Sequence, residues 1–244
     1  TGTIALLKGL GFNRVSMGIQ DFDPAVQRAV NRIQPFDMVE SLVDAVREHR
    51  FKSLSFDLIY GLPLQSPASM EQTLAKVLAL NPDRVSCYSY AHLPDVFSSQ
   101  RSIDRMQLPG ADEKLEVLHT IIDTLTDAGY LYVGMDHFVK PEDELAQALH
   151  NGTLQRNFQG YSTQLAPELL GIGVSSISST ADLYCQNVKT VDEYYALLEQ
   201  DKLPVQRGLR LTCEDQLRRD VIMQLVEDYV DAADRFEQLQ PKDA

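Results

Sequence analysis

The chain has 244 residues, with 22 Lys and Arg against 35 Asp and Glu and a formal charge of −13. Hydrophobic residues make up 44% and charged residues 23%, the balance of a folded globular protein rather than a disordered or fibrous one. The acidic excess argues against a general binder of nucleic acid or anionic membrane, which needs a basic surface, and no apolar run reaches the roughly 20 residues of a membrane span.

The chain opens at Thr1, inside what reads as a helix and with no Met before it, and is expected to be a fragment lacking its N-terminal portion. The stretch from Thr3 to Leu10 reads as a helix end stopped by Gly11, and Arg14 to Gln20 reads as a strand. Asp23-Pro24 then offers an N-cap and a proline at the first helical position, with a short helix to about Asn31. Phe36, Val39, Leu42, Val43 and Val46 recur at helical spacing and predict a helix to His49. Ser53 to Tyr60 is a second strand, closed by Gly61 and Pro63. Ser66 caps a helix to Leu80, and Asn81-Pro82-Asp83 turns into a third strand, Arg84 to Tyr90. A helix from Ala111 to Ala128 ends at Gly129, and Tyr130 to Met135 resumes a strand. Helices over 143–150 and 191–200 flank a glycine-containing strand and turn from Leu169 to Ser176. Strands separated by long helices are the pattern of a parallel sheet built from βαβ units, here more barrel-like than two-layered. Near Arg207 the pattern changes. Thr212 opens a predicted helix through Tyr229, taken as the start of a separate helical domain.

Cys87, Cys185 and Cys213 form no CxxC pair and no disulfide framework, so a reducing, cytoplasmic setting is expected. In a parallel barrel the working groups sit at the carboxyl ends of the strands. Gln20-Asp21 closes the first strand as either a capping turn or a ligand group, with capping favoured for Asp21. Asp57 stands in the apolar run Leu54 to Ile59, where Asp is depleted, and a charge there must be paired or face a pocket. Arg32 reads on composition as a surface arginine, and His92 in Tyr90-Ala91-His92-Leu93-Pro94 as a turn residue or an acid. Asp136-His137 are adjacent and so face opposite ways in a strand. The loop from Arg156 to Tyr161 suits a planar ligand or a barrel mouth. Gly171-Ile172-Gly173 reads as close backbone approach rather than a phosphate cradle. The five histidines show no metal-ligand spacing.

The stretches GFNRVSMGIQDFDPAVQRAVNR (11–32), DLIYGLPLQSP (57–67), NPDRVSCYSYAHLP (81–94), GMDHF (134–138), RNFQGY (156–161) and LLGIGVSSIS (169–178) stand here in this order. The series resembles the oxygen-independent coproporphyrinogen III oxidases, or coproporphyrinogen dehydrogenases, of the radical S-adenosylmethionine (SAM) superfamily. The resemblance implies an α/β fold, a partial TIM-like barrel holding a [4Fe-4S] cluster and two SAM molecules. Residues 1–206 would be the C-terminal portion of that barrel and 207–244 the beginning of a truncated helical domain. The implied activity is oxidative decarboxylation of two propionates of coproporphyrinogen III to vinyl groups by a SAM-derived 5′-deoxyadenosyl radical, giving protoporphyrinogen IX for haem synthesis. The protein supplies position and exclusion of water around the cofactor chemistry.

Position by position, the resemblance assigns the second SAM to Gln20, Arg32, Asp57, Ala91 and Ile177. The family's cluster motif, CxxxCxxC, is expected upstream of Thr1, so no metal ligand is expected in this chain and the fragment alone is expected to be inactive. Arg14, Arg32 or Arg156 would serve the anionic substrate. An electron donor for the cluster is an implied partner, nucleic acid and membrane are not, and a monomer is expected. The alternative is the haem-chaperone paralogue, a binding protein whose matching motif ends in Tyr-Trp. The absence of any Trp favours the oxidase.

Overall fold

The computed structural model describes residues 2–157, 160–163 and 168–222, with residue 157 in backbone only. Two compact units emerge, Thr1–Leu149 and His150–Ala244.

In the first unit, helix α1 (Gly2–Gly9) leads into strand β1 (Arg14–Gln20). Helix α2 (Pro24–Ala29) follows, its start fixed by Asp23, whose side chain accepts from the Ala25 and Val26 amides in the manner of an N-cap. Helix α3 (Phe36–Glu48) precedes β2 (Ser53–Tyr60), and α4 (Pro67–Leu80) precedes β3 (Arg84–Ser89). Ser66 and Ser69 form a reciprocal capping box at the head of α4. Asn81 ends that helix in the left-handed region at φ 51°, a conformation Asn tolerates better than most residues. After two short 3₁₀ turns come α5 (Ala111–Asp127), β4 (Leu131–Gly134), β5 (His137–Val139) and α6 (Glu144–His150).

The sheet runs β1-β2-β3-β5-β4, parallel from β1 to β3 and antiparallel beyond. Alternation along the strands separates its faces. Ile19, Phe56, Leu58, Val85 and Cys87 pack into one core with Val43 of α3, Leu74 of α4 and Ile121 of α5, all at most 1% exposed. Ser16, Gly18, Ser55, Asp57 and Ser86 alternate with these and belong to the other face. At roughly 1.5–3 kcal/mol for each large aliphatic or aromatic side chain removed from water, the helix-covered face anchors the sheet and leaves the polar face for function.

The run from Tyr130 to Met135 differs from expectation. It is not one strand but the first arm of a hairpin, β4 and β5, turning at Met135-Asp136 with Met135 at φ 53°. The turn carries none of the Asn-Gly or Asp-Gly signals that mark short hairpins. β5 inserts beside β3, with Ser86 in register with His137, and the parallel order stops there.

The second unit contains a hairpin of β6 (Gln155–Asn157) and β7 (Gly160–Ser162). It also contains an antiparallel sheet in which β9 (Leu183–Asn187) lies between β8 (Ile177–Ser179) and β10 (Val205–Arg210). Helix α7 (Val191–Leu198) connects β9 to β10, and residues 213–222 are helical. Of the segment read as a strand from Leu169 to Ser176, only Leu169 pairs, with Ser179. The three strands that follow were not anticipated. Phe158 and Gln159 of the RNFQGY stretch, and the predicted helix beyond residue 222, lie outside the described residues.

Candidate functional site

The polar face of the first sheet is built in lateral rows. Gly18 of β1 is in register with Asp57 of β2, and Asp57 with Ser86 of β3. Ser16 Oγ donates to Asp57 Oδ2 at 2.9 Å, so the carboxylate is hydrogen-bonded rather than ion-paired, and half-buried rather than core.

Gln20 ends β1 with φ 65° at a register shift in the β1–β2 pairing. Bulges of this kind re-aim a side chain at a strand end. Arg32 is exposed but not loose. Its Nη2 donates to the Gly18 carbonyl at 2.8 Å and its Nε to Gln34 Oε1 at 3.0 Å. The sequence weighed Arg32 as a surface residue. The chain instead folds it back over β1, so Gln20, Arg32 and Asp57 all border Gly18.

Just beyond the end of β1 lies a buried polar cluster that sequence reading missed. Asp21, 1% exposed, accepts from the Asp23 amide at 2.7 Å, Thr73 Oγ1 at 2.6 Å and Gln65 Nε2 at 2.5 Å. Gln65 also accepts from the Leu62 amide and donates to the Ile59 carbonyl. Gln27 donates to the carbonyls of Asp21 and Gln34 and accepts from the Gln34 amide. Burial pushes the Asp21 carboxyl above the usual carboxylate range, against the opposing pull of its three donors. Asp21 is thus a capping and bracing group, as favoured from sequence. No local signal in the sequence marked its partners.

At the carboxyl ends of β2 and β3, Gln100 brackets the turn that holds Ala91. It donates to the Ala91 carbonyl and accepts from the Leu93 amide. Lys114 of α5, also unanticipated, donates to the Tyr90 carbonyl at 2.8 Å and lies 5.7 Å from the Tyr60 ring centroid. Tyr90 Oη and His92 Nδ1 are 3.1 Å apart. Ile177 belongs to the second unit, where with Tyr184, Arg207 and Leu209 it lines a groove of about 390 Å³.

Other candidates fall to structural roles. Arg14 stands at the opposite end of β1 from Gln20 and donates to both oxygens of Glu144, at 2.6 and 2.7 Å. Arg156 lies over the Tyr161 ring, 5.0 Å from its centroid. Gly171 and Gly173 donate to Ser178 Oγ and Tyr194 Oη, and a side chain at 171 would meet the Ile177 carbonyl at 2.8 Å. Close backbone approach explains Gly171, and a φ of 96° in the left-handed region explains Gly173, rather than a phosphate cradle. Cys87 is buried in β3, where desolvation, then Asp136 and Asp57, push its thiol far from ionisation. Cys185 and Cys213 belong to the second unit. Among the described residues no group of His, Cys, Asp and Glu is arranged to hold a metal ion.

Residues 2–77 match the family model described as Radical SAM superfamily. The chain is 50% identical over 224 residues to an oxygen-independent coproporphyrinogen III oxidase from Pseudomonas aeruginosa, covering 92% of this chain and 49% of that one. It is 46% identical to the same-named protein of Thermostichus vulcanus, covering 89% of this chain and 67% of the relative. Its structure superposes on the Escherichia coli coproporphyrinogen III oxidase, a radical SAM enzyme, with a TM-score of 0.89 and 48% identity, over 92% of this chain and 52% of that one. The chain belongs to the oxygen-independent coproporphyrinogen III oxidase family. It spans about half the length of the first of these relatives, and the fold is the partial (β/α) barrel that the superposition defines.

Proposed function

We propose that the protein works as an oxygen-independent coproporphyrinogen III oxidase, and that Gln20, Arg32, Asp57, Ala91 and Ile177 hold its second SAM. The observation that carries this is the convergence of an amide, a guanidinium and a carboxylate around Gly18, in a chain about half identical to proteins of that name.

The donor set fits an amino-acid nucleoside. Asp57 accepts from an ammonium or from ribose hydroxyls, and the Arg32 fork pairs with a carboxylate. Gln20 serves either side of a hydrogen bond. The Ala91 turn, bracketed by Gln100, offers backbone contact without side-chain bulk, and Ile177 an apolar wall. The described residues do not fit a [4Fe-4S] cluster: no CxxxCxxC occurs in the sequence and the three cysteines are far apart along it. The cluster would be held by residues outside this chain, which alone would be inactive.

When bound, SAM and the cluster supply the hydrogen-abstracting radical. This chain's part is to orient and shield. The buried Asp21 cluster braces the turn after Gln20, and the Gln27 carbonyl accepts from the Arg32 amide at 2.8 Å. The substrate is coproporphyrinogen III, decarboxylated at two propionates. An electron donor, a monomeric state and a cytoplasmic setting belong to the same reading. Among the described residues no helix is long and apolar enough to cross a membrane. We also propose a boundary near residue 206 between barrel and helical domain, although β10 (Val205–Arg210) runs across that position.

The oxidase is favoured over the haem chaperone because the relatives described above carry the oxidase name. The test is to extend the reading frame upstream of the Thr1 codon and assay the whole gene product anaerobically with SAM, a reductant and coproporphyrinogen III. A CxxxCxxC motif and formation of protoporphyrinogen IX with CO2 release are expected. Haem binding without decarboxylation would reverse the choice.

A further inference from the structure

Gly18 has a φ outside the left-handed region and so needs no glycine for its backbone. What requires a glycine lies above it. A Cβ at position 18 would stand 2.6 Å from Gln20 Nε2 and 3.2 Å from Arg32 Nη2. The two side chains that border the strand occupy the space a side chain would fill, and Asp57 is the register partner alongside.

We propose that Gly18 is a positioning residue of the SAM site. Its missing side chain lets the Gln20 amide and the Arg32 guanidinium fold onto β1 beside Asp57. The inference rests on the reading of those three residues as ligand groups. It goes beyond that reading by making a residue with no functional group decide whether they converge. The close atoms are the ends of flexible side chains, not backbone. An alanine at 18 is therefore accommodated by swinging them away, and the fold survives while the site does not.

The experiment compares the wild-type chain with Gly18→Ala, Gln20→Ala and the double variant. Expected for Gly18→Ala are a melting temperature within about 3 °C of wild type, and a displaced Gln20 side-chain amide pair in the ¹⁵N–¹H spectrum. SAM affinity by calorimetry should fall about 10- to 100-fold, the loss expected when one or two charge-assisted hydrogen bonds go. The double variant should be weakened by less than the product of the single losses, because the Gln20 amide is lost in both single variants.

An unmoved Gln20 signal would overturn the proposal, as would unchanged SAM affinity in Gly18→Ala. A larger drop in melting temperature would also overturn it, marking Gly18 as a packing residue. If the wild-type chain binds no SAM, the reading of the site fails, while the Gln20 signal still decides the role of Gly18.

Discussion

Asp21 sits one residue beyond Gln20 and does the opposite job. Every donor that reaches it comes from its own chain, and with 1% exposure it has no room for a ligand. Replacing it by Asn sets an NH₂ group against either the Gln65 amide or the Asp23 and Thr73 donors. One buried polar group then loses its partner, at about 1–3 kcal/mol. Urea unfolding of Asp21→Asn should show that loss, and a change under about 0.5 kcal/mol, the range of an indifferent surface site, would refute the bracing role. The sequence made Asp57 conspicuous, because a carboxylate in an apolar strand needs an explanation. It understated Arg32, because the fold-back onto the Gly18 carbonyl depends on where β1 passes after α2. Nothing local to VNRIQ encodes that. Gln27, Gln65 and Thr73 were silent for the same reason: their partners are distant in sequence or lie on other elements.

Between elements, the starts of β1 and β3 are tied to the head of α6. Arg84 pairs with Asp143 at 2.8 Å and Glu144 at 3.0 Å, and Arg14 takes Glu144 as well. Asp143 also caps α6 through the Leu145 amide. The Asp143 side chain is 6% exposed and Arg84 17%, whereas Arg14 is 48% exposed. Arg84→Ala strands a buried carboxylate and should cost roughly 2–4 kcal/mol, while Arg14→Ala should cost under about 1 kcal/mol. Equal losses would contradict this ranking. Burial raises the Glu144 pKa, but hydrogen bonds from Arg14 and Arg84 outweigh it and hold the carboxyl below its ordinary 4.5. A carboxylate with a lowered folded pKa stabilises fully above the unfolded value, and that stabilisation fades as pH falls through the folded one. Below about pH 4.5 the difference between wild type and Glu144→Gln should therefore shrink, as followed by denaturant titration at several pH values. A difference that grows on acidification would reverse the assignment. The regular helices and the three parallel strands were legible because Asp23-Pro24, Ser66-Pro67 and the 3.6-residue spacing are local signals. The β4–β5 hairpin and strands β8 and β9 were not, because they are short and their turns lack strong punctuation, and β10 was not, because VQRGLR is exposed throughout and shows no alternation of faces.

At the scale of the molecule, the first unit presents a sheet packed on one face and polar on the other, with β1 at the edge of the strand order. The family follows from identity spread over nine-tenths of the chain, and the proposed site rests on three polar groups gathered around Gly18. Neither depended on the composition, which indicated only an acidic globular protein. The −13 charge and an anionic substrate would be reconciled by a few placed cations. Calorimetric titration of SAM into the wild-type chain, Asp57→Ala and Arg32→Ala tests the proposed ligand roles of Asp57 and Arg32. One site is expected in the wild type and at least about tenfold weaker binding in each variant, the loss of one charge-assisted contact, with the fold retained by circular dichroism. Equal SAM affinity and stoichiometry in all three proteins would contradict those roles.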